Sequence, residues 1–289
     1  MFQKWLLQCA ISCGIAILFY VISASTVHRL FSRKVNRDIV GRDMRLGIIS
    51  VVFGTPVIQG FALLSEQYHI GHMYKDIGER GYLYWLISMP LYVLLWDLVF
   101  YVTHLILHVP LVYRKSHFRH HAFRPPVAWS GIAIDPFETI LSGILPYTLP
   151  LLVLPVHIYT VYALNMLLLI WATVLHSSAN WLGNAIWIGT RDHNLHHAYG
   201  LKNYNFAAVF SFWDRLFGTL NRSVQPPWWG QDAWTPKVGV ARGKLAAAAP
   251  SEAVDGAVLR SGVPNLNDLL AAGEAAPPAP GVGGAHPDR

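Results

Sequence analysis

Charge is what this chain has least of. Asp, Glu, Lys and Arg make up 13% of its 289 residues, about half the share usual in a soluble domain. Cysteine is nearly absent. Cys9 and Cys13 stand four apart in an apolar run, which excludes a disulfide framework and a cysteine-ligated metal. No G-x-G-x-x-G stretch occurs, so a resident flavin or dinucleotide domain is not indicated. The formal net charge of +6 is spread through loops and forms no basic patch. Nucleic acid is therefore not an expected partner, and anionic lipid headgroups suit the charge better.

Apolar and aromatic residues fill the space that charge leaves. The chain is 53% hydrophobic and carries 11 Trp and 13 Tyr, as a bilayer protein with aromatic interface belts would. Five stretches are long enough to span, given that about 20 helical residues cross the hydrocarbon: roughly 5–24, 46–65, 82–103, 137–155 and 156–175. The last two form one region broken by Pro146, Pro150 and Pro155. A helical hairpin is the simplest reading, with a partly re-entrant pair as the alternative. Ser23, Ala24 and Ser25 resemble a signal-peptide cleavage site, but the apolar run before them exceeds the usual core of about 7–15 residues, which favours a retained anchor. The fold expected is all-α: an integral membrane helical bundle with a cytosolic, histidine-rich cap.

Loop charges give an orientation. Arg29, Arg33, Lys34, Arg37, Arg42 and Arg45 follow the first stretch, whereas the loop 66–81 balances Lys75 and Arg80 against Glu66, Asp76 and Glu79. The positive-inside rule puts the first loop in the cytosol and the second outside. Alternation then makes a multi-pass protein with everything rich in histidine on the cytosolic side. Three regions follow: N-terminal membrane helices and loops over 1–80, a histidine-rich domain over 81–235, and an Ala/Gly/Pro-rich tail over 236–289 expected to be disordered.

The histidines fall into boxes: His104-Leu-Ile-Leu-His108, His117-Phe-Arg-His120-His121 and His193-Asn-Leu-His196-His197, with His176 alone after the last apolar stretch. On a helix, residues three and four apart share a face, so each box can aim its imidazoles to one side and three such faces can surround a metal pair. A helix over 82–108 would be about 40 Å long, about 10 Å more than the hydrocarbon needs, which sets His104 and His108 just above the membrane. His28, His69, His72, His157 and His286 stand outside this pattern and read as interfacial or hydrogen-bonded residues. Imidazole suits zinc, copper, iron and nickel. A zinc hydrolase of the H-E-x-x-H type needs glutamate where Leu105, Phe118 and Asn194 stand. Eight or nine histidines exceed one metal's needs, so two metals are expected, and oxygen chemistry with iron is the best fit.

These motifs resemble the fatty acid hydroxylase/sterol desaturase superfamily. The resemblance runs from about Asp97 to Thr219 and includes WDLVFYVTHLILHVPLVYRKSHFRHH, LHSSANW, TRDHNLHH, NYNF and WDRLFGT. The short gap between His108 and His117 separates it from acyl-lipid and acyl-CoA desaturases. The resemblance implies a di-iron centre that uses O2 to hydroxylate or desaturate a membrane lipid, sterol-like or fatty acyl. It implies electrons from NAD(P)H through an external reductase and a cytochrome b5- or ferredoxin-like carrier. By position the implied ligands are His104, His108, His117, His120, His121, His176, His193, His196 and His197. His176 has an alternative reading as a polar residue ending the last span.

The chain departs from the family pattern where His-Pro-x-Glu gives way to Asp135-Pro136-Phe137-Glu138. Asp135 reads either as a carboxylate at or behind the metals or as a helix cap, since Asp before Pro is a common helix start. Asp97, seven residues before His104, reads as an acceptor behind the metal ligands or as an interfacial ion-pair partner. Asp214 and Arg215 read as a structural turn, and Asn203, Tyr204 and Asn205 as the turn that packs the last box. Two other function classes stay open at this level: a non-catalytic membrane metal or haem protein, which bis-histidine haem would reveal by its visible absorption, and a degenerate scaffold, against which the three intact boxes count.

Overall fold

The computed structural model describes residues 2–31, 37–68, 70–122, 124–200 and 204–229. Four helices are long and apolar enough to cross a membrane: Trp5–Phe31, Asp38–Tyr68, Tyr82–Leu107 and Ile158–Leu175. They are the cores of α1 (Phe2–Phe31), α2 (Arg37–Tyr68), α3 (Tyr82–Leu107) and α7 (Ile158–Leu175). Their outer surfaces are greasy: Leu7, Leu18 and Leu83 are 62%, 61% and 73% exposed, as side chains facing lipid rather than water would be. Pro56 and Pro90 lie inside α2 and α3, which packed membrane helices tolerate.

The expected span over 137–155 is not a single helix. Residues 136–152 run as α5 (Pro136–Glu138), a π-helical stretch Thr139–Ile144, α6 (Leu145–Thr148) and a 3-10 turn Leu149–Leu152. Pro146 and Pro150 each remove a backbone donor, so no uniform i→i−4 ladder can form. The run nevertheless travels the length of the bundle. Its start lies beside His117, which meets Glu138 at 2.7 Å, and its end reaches Leu151, whose carbonyl accepts the His72 N–H at 2.8 Å. The hairpin path is kept, with a broken first arm.

Two short strands mark one end of the bundle. Met73–Tyr74 pairs in parallel with Val156–His157, tying the α2–α3 loop to the start of α7. At the opposite end the Ser178 N–H donates to the Phe31 carbonyl at 3.1 Å, and Arg42 donates to the Arg119 carbonyl at 3.1 Å. The chain segments around Arg29 and Arg42 thus lie at the histidine end, on the same side as the boxes. Arg33 and Lys34 fall outside the described residues, as do Asn203 and the tail 236–289.

The main core joins Tyr92, Trp96 and Tyr101 of α3 to Leu168 and Leu175 of α7 and to the returning segment Phe206–Val209. A second core seats Tyr20 against Trp129, rings 5.6 Å apart and edge-on, with the phenol donating to the Trp129 carbonyl at 2.7 Å. Gly47 allows this approach: a Cβ there would stand 2.3 Å from the Tyr20 hydroxyl oxygen. Short helices build the cap: α4 (Pro110–Lys115), α8 (Thr190–Tyr199) and α9 (Ser211–Leu216).

Candidate metal centre

Each box reaches the centre from a different kind of backbone. His104 projects from the last turn of α3, and His108 is its C-cap. Pro110 at the start of α4 stops α3 from continuing. The second box is not on an α-helix. His117–Arg119 form a 3-10 turn, with His120 and His121 just past it. His176 is the C-cap of α7. The third box lies on α8, whose start is fixed by Asp192 accepting the Gly189 N–H at 2.9 Å, and whose end at Gly200 takes φ +42, a region glycine enters readily.

These elements bring all nine histidines together as two buried groups. One holds His104, His108, His117, His121 and His196; the other holds His120, His176, His193 and His197. Within each group the potential ligand atoms lie within 4.8 Å of one another. The boxes do not each serve one group: the second and third boxes contribute to both. The groups abut, with the His121 and His197 rings stacked 4.4 Å apart.

Four rings have their orientation fixed from behind. His104 Nδ1 lies 2.8 Å from the Phe206 carbonyl, His176 Nδ1 2.7 Å from that of Ala172, and His196 Nδ1 2.8 Å from that of Tyr204. A carbonyl only accepts, so the proton sits on Nδ1 and the Nε2 lone pair faces the cluster. His117 Nδ1 meets the Glu138 carboxyl in the same way at 2.7 Å. This outer layer is the usual means of orienting metal-bound imidazoles.

The inner nitrogens fit cations. His193 Nε2 lies 2.9 Å from His176 Nε2, which lies 3.2 Å from His120 Nε2; His197 and His193 meet at 3.2 Å, and His121 and His117 at 3.0 Å. For metal–nitrogen bonds of about 2.1 Å, neighbouring ligands at right angles would be about 3 Å apart. Nε2 of His196 and Nε2 of His108 are buried with no hydrogen-bond partner among the described residues, an expensive state for polar atoms that have no other use. Burial pushes the imidazoles down, to about 2 at His108 and about 4 at His176, with His117, His120, His121, His193, His196 and His197 well below 6.5. They are neutral at physiological pH, the form that binds metal. The two buried clusters are compatible with a di-metal site.

The remaining acids are placed behind the rings. Asp135 caps α5, accepting the Glu138 N–H at 2.9 Å, and lies in neither histidine group. Glu138 is the residue that sequence reasoning passed over. It occupies the glutamate position of the His-Pro-x-Glu pattern, and that was the available signal. Burial, with Asp135 nearby, pushes its carboxyl up while burial pushes His117 down, so both tend to neutrality without a cation. Its second oxygen is buried without a partner among the described residues. Asp97 accepts the N–H groups of Ala208, Val209 and Phe210 at 2.9, 2.9 and 2.7 Å. Asp214 accepts those of Phe206 and Ala207 at 2.7 and 3.0 Å. Together they clamp the segment whose Phe206 carbonyl holds His104. Asn205, at φ +54, donates to the Asp192 carbonyl at 3.0 Å and braces the same turn.

One cavity of about 570 Å³ opens onto the histidines. His104, His117, His120, His176 and His193 line one part of it, and apolar side chains such as Phe100, Leu107 and Leu168 line much of the rest.

The Fatty acid hydroxylase family model matches residues 89–219. A Delta(7)-sterol 5(6)-desaturase of Schizosaccharomyces pombe is 31% identical over 58% of this chain and 55% of its own length. A Delta(7)-sterol 5(6)-desaturase of Candida albicans is 27% identical over 71% of this chain and 54% of its own. A lathosterol oxidase of Mus musculus is 27% identical over 66% and 63%. The chain thus spans between about half and two thirds of the length of these relatives. No solved structure matches it.

Proposed function

Because this chain is a member of the fatty acid hydroxylase family through residues 89–219, we propose that it is an O2-dependent di-iron oxidoreductase acting on a C–H bond of a membrane lipid. The observation that carries this reading is the opening of one apolar cavity, set among membrane helices, onto two abutting groups of five and four buried histidines. The lipid would be sterol-like or fatty acyl, and the names of the relatives favour a sterol-like one.

The proposed ligands are His104, His108, His117, His121 and His196 for one iron and His120, His176, His193 and His197 for the other. When bound, the irons supply O2 activation, which no amino-acid side chain can provide. Hydroxylation consumes the substrate C–H, O2, two electrons and two protons, and yields an alcohol and water. Desaturation removes two hydrogens from adjacent carbons with the same electron input and yields two waters. The electrons would come from NAD(P)H through an external reductase and a cytochrome b5- or ferredoxin-like carrier.

The chain's own residues bind, orient and exclude. The Phe206, Ala172 and Tyr204 carbonyls and the Glu138 carboxyl keep imidazole lone pairs inward. Phe100, Leu107 and Leu168 give the substrate an apolar berth and keep bulk water from it. Asp97 and Asp135 act one layer further out, by holding the segments that hold the rings. Arg29 and Arg42 share the end of the bundle with the boxes, which supports a cytosolic centre under the positive-inside rule.

The test is incubation of the purified chain with total membrane lipids, O2 and a reductase–carrier pair, read by mass spectrometry. A gain of about 16 Da or a loss of about 2 Da is expected, dependent on O2, as those stoichiometries require. His120→Ala and His196→Ala should abolish it and lower the iron content. Unchanged turnover with full iron loading in either variant would overturn the reading.

A further inference from the structure

At the end of the cavity away from the histidines, two polar side chains, Asn165 and Tyr147, carry hydrogen-bonding capacity that the described residues leave unfilled. Asn165 lies in the middle of α7, the one amide side chain on that helix, and is half-buried. Tyr92 of α3, fully buried, places its hydroxyl 3.1 Å from the Asn165 side-chain oxygen and 3.1 Å from the Tyr147 carbonyl. Whichever acceptor takes the phenol proton, Tyr92 occupies one half of the Asn165 amide. The other half makes no hydrogen bond among the described residues, and neither does the Tyr147 hydroxyl. Both side chains line the same cavity as His104, His120 and His176.

Such groups are costly at this depth. An amide or hydroxyl facing hydrocarbon without a partner loses its hydration and gains nothing in return. Polar side chains inside membrane helices ordinarily face a partner, a cavity or a ligand. Here Tyr92 holds the amide while one of its polar atoms has no partner among the described residues, on a side chain that lines the cavity. Packing does not require this arrangement, since a leucine would fill the position in α7 as its neighbours do.

The separation from the metal end follows from helix rise. Asn165 and His176 lie eleven residues apart along α7 and its cap, about 16 Å, and Tyr92 and His104 lie twelve apart on α3, about 18 Å. Two independent helices therefore give similar spans.

We infer that Asn165 and Tyr147 form a polar subsite for the hydroxyl or carbonyl end of an elongated lipid whose far end is presented to the histidines. This rests on the oxygenase reading and narrows its substrate class: the oxidised carbon is remote from the lipid's polar end. In a 3-hydroxysterol the 5(6) bond lies close to the carbinol carbon. A sterol seated with its hydroxyl on Asn165 would therefore present its side chain to the centre, and not the ring bond that the relatives' names specify.

The experiment measures binding apart from turnover. Radiolabelled 1-octadecanol and n-octadecane are titrated into the full-length chain in detergent, without O2 or reductant. The alcohol is expected to bind about tenfold tighter than the alkane. Asn165→Leu and Tyr147→Phe should each weaken the alcohol about five- to tenfold, the worth of one hydrogen bond, and leave the alkane unchanged. Equal affinity of wild type for the two probes, or variants that bind the alcohol as wild type does, would overturn the subsite. If Asn165→Leu also loses the alkane, its fold is damaged, and Tyr147→Phe, which removes one oxygen, decides by the same criterion. Because no turnover is measured, failure of the oxygenase reading would leave this result intact, and failure here would leave the metal centre standing.

Discussion

His176 Nε2 stands 2.9 Å from His193 Nε2, while His176 Nδ1 donates to the Ala172 carbonyl at 2.7 Å. A histidine outside every box is thereby fixed in tautomer and aimed at the third box. Under the proposed function it is a full ligand of the second metal. His176→Ala should lower iron from about two to about one per chain and activity by more than about 100-fold, a loss beyond the 10–100-fold typical of outer-layer partners. Elemental analysis beside turnover checks this. Two irons per chain in the variant would return His176 to the role of a polar span end.

Glu138 holds His117 from behind at 2.7 Å. Glu138→Ala should weaken metal binding about 10- to 100-fold. Glu138→Gln keeps an oxygen that can accept the imidazole N–H and should recover part of that loss. A competitive titration against a calibrated chelator measures both. Equal effects of the two substitutions would point to charge rather than orientation as the contribution of Glu138.

Asp97 satisfies three buried N–H groups at once. Asp97→Ala would strand them, at about 1–3 kcal/mol for each buried donor. The expected result is a thermal midpoint in detergent lowered by many degrees, with loss of the Phe206 support to His104. A variant that melts like wild type would show that the 208–210 segment is held by other contacts.

Acid should destabilise the metal-free chain. An unfolded histidine takes up its proton near pH 6.5, whereas burial holds His176 to about 4 and His108 to about 2 in the folded chain. Above about pH 6.5 both states are neutral and the full stability is present. As pH falls through that value the unfolded state binds protons first, so stability declines toward the folded-state values. Melting temperatures of metal-free protein should be flat from about pH 8 to 6.5 and fall steadily below it. A flat profile down to about pH 5 would contradict the burial of these rings.

The histidine pattern carried much of the site. Spacing picked out eight of the nine residues that the fold collects, because i, i+3 and i+4 positions stay close in an α-helix and also in the tighter turn that His117–Arg119 adopt, while His176 came from the family resemblance alone. Hydropathy located the four long helices, since lipid exposure demands apolar side chains along their length. It failed over 137–155, where composition is apolar but Pro146 and Pro150 change the hydrogen-bond pattern. The split of each later box between two groups could not be read, because it depends on how α8 and the second box pack. Glu138 was visible as a letter but not as a partner of His117, a contact across 21 residues. Asp97 lay on the correct helix, yet its three backbone partners are more than 100 residues away.

The division of the histidines also has a consequence for how the chain is made. Synthesis delivers His104, His108, His117, His120 and His121 well before the rest. Four of the five members of one group then exist, but the other group has only His120. Its remaining members, His176, His193 and His197, arrive after α7 has been built. A nascent chain could thus capture one cation early and with partial coordination, while the second must wait for the C-terminal part of the domain to double back, since domains generally fold from the N-terminal side as they emerge. Under the proposed di-metal reading, metal capture would follow the order of synthesis, and a ribosome stalled before residue 176 would carry at most a half-loaded centre.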